Sequence, residues 1–89
     1  MNQTERITYY ETLLDQVREE LAGMQTKKDA SEQFRKRLQE LDEYYGSVIW
    51  FQDYNTDLAG ELPADLKRGV LTEDGIYDVL MDYQELPKG

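Results

Sequence analysis

Apolar residues at Ile7, Tyr10, Leu14, Val17, Leu21 and Met24 recur at alternating spacings of three and four. That is the pattern of a helix laying one narrow seam against a partner helix. The spacing predicts a helix from Thr4, as N-cap, to about Gln25, roughly 30 Å long at 1.5 Å per residue. A second stripe, Phe34, Leu38, Leu41 and Tyr45, runs one position out of phase with the first, so something resets the helix between them. The run Gln25-Thr26-Lys27-Lys28-Asp29 holds no apolar residue. Thr26 and Asp29 are cap-type residues, and Asp29 with Glu32 has the spacing of a capping box. These signals predict an antiparallel helical hairpin over residues 1–45. One long helix with a stutter, favouring a coiled-coil dimer, is the competing reading, because neither Gly nor Pro stands in the turn. Glu32, Lys36 and Glu40 alternate in sign four apart, which marks a solvated face.

Beyond the hairpin the pattern shortens. Tyr44, Tyr45, Trp50, Phe51 and Tyr54 gather five of the ten aromatics at the joint between the halves, and aromatic rings are the main apolar area a small domain has to bury. Gly46 reads as a C-cap and Ser47 as an N-cap for the next segment. Val48–Tyr54 reads as a helical turn or irregular packed segment, and Tyr54–Gly60 as loop chemistry. Pro63 opens a single turn through Leu66, closed by Gly69, and Val70 and Leu71 make one apolar anchor. Thr72-Glu73-Asp74 caps a third helix and sets acids in its first turn. Ile76, Tyr77, Leu80 and Tyr83 face inward, and Pro87 ends that helix. The fold class is all-α, with residues 46–89 packed onto the hairpin as part of a single domain.

At 89 residues the chain has room for one modest core. With no Cys and no His, disulfides, thiolate nucleophiles, imidazole acid–base chemistry and typical zinc sites are removed together. No run is long enough for a membrane span, and the start Met1–Arg6 lacks a signal-peptide pattern, which points to the cytoplasm. Residues 1–51 carry ten acids and seven bases, residues 52–89 nine acids and three bases, together the net charge of −9. Phosphate binding needs Lys and Arg patches, so this balance argues against direct contact with nucleic acid or an anionic membrane and is compatible with a basic protein partner. Ordinary solubility charge is the plain alternative.

At Tyr44-Tyr45-Gly46-Ser47, Leu62-Pro63, Leu66-Lys67-Arg68-Gly69-Val70-Leu71-Thr72-Glu73-Asp74 and Tyr77-Asp78-Val79-Leu80, the chain resembles a bacterial family catalogued as domain of unknown function 4298. The resemblance covers nearly the whole chain. It implies two N-terminal helices followed by a compact motif-bearing half, and it assigns no catalytic residue.

Three constellations have chemical readings. Asp53, Asn55 and Asp57 reproduce positions one, three and five of a calcium loop. Position six is Leu58 in place of Gly and position twelve is Ala64 in place of Glu, so local turn bonding is the better reading and no metal is assigned. Asp74, Asp78 and Asp82 lie four apart with no base between them, a row of carboxylates about 5–6 Å apart on a helix; Glu11, Asp15 and Glu19 form a similar row. Each row alone reads as a solvated helix face. If the two share a face, they imitate a phosphate backbone and fit a basic groove that holds nucleic acid. Lys67 and Arg68 are expected to offset Asp65 or Glu73. Tyr9 and Trp50 are candidate interface anchors, since Tyr and Trp are enriched at hot spots, although the aromatic cluster as a whole reads first as core.

No cofactor and no catalytic group is expected. These features describe a small acidic binding protein that covers a basic surface of a partner, such as a nucleic-acid-handling enzyme. In size and charge it looks like the phage-encoded or mobile-element inhibitors of defence enzymes, the anti-CRISPR proteins among them. Asp74, Asp78, Asp82, Glu11, Asp15, Glu19, Tyr9 and Trp50 would make the contact, by a monomer or a homodimer. The alternative is a scaffolding module that self-associates through the first-helix seam, weakened by Leu14→Asp or Leu21→Asp.

Overall fold

A computed structural model describes residues 1–24 and 30–86. Four α-helices succeed one another: α1 (Gln3–Gly23), α2 (Glu32–Tyr45), α3 (Val48–Leu58) and α4 (Gly75–Glu85), with a single 3-10 turn at Gly69–Leu71 before α4. The all-α class expected from the sequence holds, in a body of 44 × 20 × 19 Å.

The first two helices form the antiparallel hairpin, not one long helix. Tyr10 near the start of α1 stacks on Tyr44 near the end of α2, with ring centroids 3.9 Å apart, and Glu20 near the end of α1 pairs with Arg37 at 3.4 Å. Helix α1 starts two residues earlier than the Thr4 cap implies. Asn2 Oδ1 accepts from Glu5 N at 2.8 Å while Asn2 N donates to the Glu5 carboxylate at 3.1 Å, a reciprocal capping box. Helix α2 is capped by Ser31, whose Oγ accepts from Phe34 N at 3.0 Å. The cap roles read at Thr26 and Asp29, and the stop at Pro87, lie outside the described residues.

The two seams are used inside the chain. Ile7, Leu14, Val17, Phe34 and Leu41 are fully buried and share one core with Trp50, Val70, Leu71, Ile76 and Val79. Each such side chain stabilises by roughly 1.5–3 kcal/mol. Most of the α1 seam is thus packed inside the chain, while Tyr10 and Leu21 are half-buried.

The larger departure is α3. Ser47 caps it, accepting from Trp50 N at 3.1 Å, and the helix continues through the Tyr54–Leu58 stretch that composition assigns to a loop. It stops at Gly60, whose φ of 72° suits the residue past a helix end. Glu61 N reaches Thr56 O at 3.2 Å and Gly60 N reaches Asp57 O at 2.9 Å, the paired bonds of a Schellman close. The Pro63 turn is present, with Leu66 N on Pro63 O at 3.2 Å, whereas Gly69 opens the 3-10 turn and does not close the earlier one. At α4 the hydroxyl of Thr72 accepts from Gly75 N at 2.9 Å, and Asp74 makes no cap bond. Ile76 and Val79 are buried; Tyr77, expected inside, is 49% exposed.

Candidate partner-binding surface

Two polar nodes hold the helices in place. Asp53 is fully buried on the inner side of α3. It accepts from Arg6 Nε at 3.0 Å, from the Tyr44 hydroxyl at 2.7 Å and from Gln3 Nε2 at 2.9 Å. Burial by itself raises the Asp53 pKa, but the bonds from Arg6, Tyr44 and Gln3 outweigh it and hold the group below the usual carboxylate range. Burial and the bond to Asp53 push the Tyr44 phenol well up, so it stays a donor. The node ties α1, α2 and α3 together with every bond direction satisfied.

The second node is Val70. Its N–H donates to the buried carboxylate of Glu11 at 3.0 Å, and its carbonyl accepts from Trp50 Nε1 at 2.7 Å. Both polar groups of one buried residue are thus met by side chains from different helices, as buried backbone groups require. Trp50 itself lies between Tyr45 and Tyr54, with ring centroids 5.1 and 5.0 Å away. Next to this clamp, Arg68 bonds Asp57 at 2.6 Å and Lys67 bonds Asp15 at 3.1 Å. These two bases serve α3 and α1, not Asp65 or Glu73 as expected. Gly75 sits where a Cβ would stand 2.1 Å from Gly69 O. The stretch Lys67–Gly75 is accordingly a buckle that closes the C-terminal half onto α1 and α3.

Several residues read as contacts in the sequence are therefore structural. Glu11 (6% exposed) and Trp50 (9% exposed) are buried and cannot meet a partner. Asp15 is engaged by Lys67, and Glu19 lines a separate shallow groove with Gln16, Glu20 and Arg37. The two acidic rows do not merge into one face, because Glu11 points into the core and Arg18 stands beside Asp78 and Asp82 in the groove between α1 and α4. The calcium constellation also dissolves. On a helix, residues two apart diverge by about 200°, so Asp53 points inward while Asn55 is exposed and Asp57 pairs with Arg68. No group of three or more metal-binding side chains converges among the described residues.

What remains at the surface is distinctive in two places. Asp74, Asp78 and Asp82 are all exposed and pair with no cation among the described residues. Helix α4 carries no base. Asp78 and Asp82, with Glu85, edge an open groove of about 600 Å³ whose apolar lining includes Leu21, Val79 and Leu86. Asp74 and Asp78 at the first turn also complement the helix dipole, a structural reason for two of the three. The second place is the outer side of α3, where Val48 (73%), Phe51 (59%) and Leu58 (68%) are exposed apolar residues. Tyr9 is 39% exposed and donates its hydroxyl to Glu40 at 2.8 Å, so its polar tip is engaged.

The family model described as Domain of unknown function (DUF4298) matches residues 7–88. No curated protein and no solved structure matches the chain. Among the described residues no helix is long and apolar enough to cross a membrane.

Proposed function

We infer that this chain, which belongs to the DUF4298 family of domains of unknown function, is a small acidic non-enzymatic protein that covers a basic, nucleic-acid-binding surface of a partner protein. The observation that carries this reading is the α4 row: Asp74, Asp78 and Asp82 are exposed, lie on one helix without a base, and form no ion pair among the described residues, although Arg18 of α1 lines the same groove as Asp78 and Asp82. Like charges four apart on a helix cost a few tenths of a kcal/mol per pair, and a basic groove on a partner relieves that repulsion. Complementary charge of this kind raises the association rate and selects the partner more than it adds raw affinity. The net charge of −9 extends the attraction over about a Debye length, roughly 8 Å at physiological salt. The site is narrower than the sequence implies. It centres on α4, because on α1 Glu11 is in the core, Asp15 pairs with Lys67, and Glu19, though exposed, lines a different groove.

The test is affinity capture from a bacterial lysate on immobilised chain, with elution by a salt step and by competing nucleic acid. Replacing Asp74, Asp78 and Asp82 together by Lys should abolish recovery of the partner while leaving the helical circular dichroism intact. Recovery of the same partner at wild-type yield by that variant would remove the reading.

A further inference from the structure

The outer side of α3 is built the wrong way round for a surface helix. Its inner side holds Asp53 and Asp57, each taken up by an arginine. Its outer side carries Val48, Phe51, Asn55 and Leu58 at successive spacings of three, four and three, one stripe along a helix. The three apolar members are more than half exposed, and Ile49 on the neighbouring shoulder is 46% exposed. Together they make an exposed apolar patch, a feature that on a monomer is often functional. From Leu38 to Leu66 the chain has seven acids and no Lys or Arg. Glu40 and Glu43 line the shallow hollow beside Ile49, together with Arg6, whose charge is taken up by Asp53.

The geometry points to this stripe as a docking site for a basic amphipathic helix of a partner protein, packed alongside α3 with its apolar side on Phe51 and its Lys or Arg residues toward Glu40, Glu43 and Glu61. A second copy of the chain is the poorer occupant on two counts. Four side chains fall well short of the roughly 20–30 residues a side found in stable complexes, and pairing would set the Glu40 and Glu43 edges of two copies near each other. A partner helix with basic flanks meets both the apolar anchors and the rim, the recognition mode in which an amphipathic helix is read by apolar anchors three and four residues apart. The partner class rests on the reading of the chain as a binder of basic proteins; the site is separate from α4.

The test is a titration of the ¹⁵N-labelled chain with a synthetic amphipathic Leu/Lys peptide helix, monitored by amide shifts, beside a Leu/Glu peptide of the same pattern. The Leu/Lys peptide should move the amides of Val48, Ile49, Phe51 and Leu58. Phe51→Gln should weaken binding at least about tenfold, as loss of a central aromatic anchor does, with unchanged Trp50 fluorescence. The Leu/Glu peptide should leave the spectrum still. Failure of the Leu/Lys peptide to bind, equal binding by Phe51→Gln, equal binding of the Leu/Glu peptide, or a Phe51-dependent dimer without peptide would each overturn the inference. Shifts confined to Asp74, Asp78 and Asp82 would overturn it and leave the α4 reading standing. Capture that survives the α4 charge reversal removes that reading, and the peptide result at α3 is independent of it.

Discussion

Asp53→Asn tests the account of the three-helix node. The substitution keeps the shape and one acceptor but removes the charge that Arg6, Tyr44 and Gln3 converge on. Hydrogen bonds to a charged group are worth about 1.5–3 kcal/mol each, and the new amide would set an N–H against other donors. Breaking a fully buried ion pair costs ~3–5 kcal/mol. Here the Arg6 side chain is 25% exposed and can turn toward water, so about 2–3 kcal/mol is expected. A domain of this size has a total stability on the order of 4–13 kcal/mol, so the loss is a large fraction of it. With a urea m-value of about 1 kcal/mol/M, the unfolding midpoint should fall by roughly 2–3 M. The pH dependence gives a second reading of the same node. The Asp53 pKa is lowered in the folded chain, against about 3.9 unfolded. Its stabilisation is thus complete above roughly pH 4 and drains away as the pH falls through the folded-state value. Wild type should lose more stability between about pH 4 and 2 than Asp53→Asn does. A midpoint shift within the ~0.5 kcal/mol of an ordinary surface change, or an acid limb as steep in the variant as in wild type, would mean that the Asp53 charge does not hold the three helices together.

Other substitutions separate the buckle from the surface. Gly75→Ala drives a Cβ to 2.1 Å from the Gly69 carbonyl, so it should cost about 1–3 kcal/mol by overpacking, read from the urea midpoint. Glu11→Ala strands the buried Val70 N–H and should cost about 1–3 kcal/mol, with Glu11→Gln milder because an acceptor is retained. By contrast, Val48→Gln, Phe51→Gln and Leu58→Gln remove exposed groups and should each stay within about 0.5 kcal/mol of wild type in thermal or urea unfolding.

The hairpin was legible because Ile7, Leu14 and Val17 repeat at helical spacing and meet a matching stripe, and a regular period needs no knowledge of the rest of the chain. Helix α3 was not. It sets Asp53 and Asp57 beside Trp50 on its inner side and Val48, Phe51 and Leu58 outside, so its polar pattern blurs the usual rule, and Asn55, Asp57 and Gly60 read as loop residues. The acidic rows show a related limit. Spacing places Glu11, Asp15 and Glu19 near one another on a helix, but it does not say that the Lys67–Val70 stretch lies over the first two. The clue available was the Lys67-Arg68-Gly69-Val70 sequence itself, a basic pair before an apolar anchor, whose partners lie 52 and 11 residues away. Trp50 shows the converse: its enrichment at interfaces suggested exposure, while its indole N–H is used inside, on Val70.

If this chain covers a nucleic-acid-binding surface, chain and nucleic acid compete for it. The direct measurement is a titration of the purified chain–partner complex with the partner's nucleic acid, monitored by fluorescence anisotropy of the labelled chain at two salt concentrations. The account predicts full displacement of the chain, together with weaker binding of the chain itself at the higher salt. A stable ternary complex, with the chain still bound at saturating nucleic acid, would contradict it.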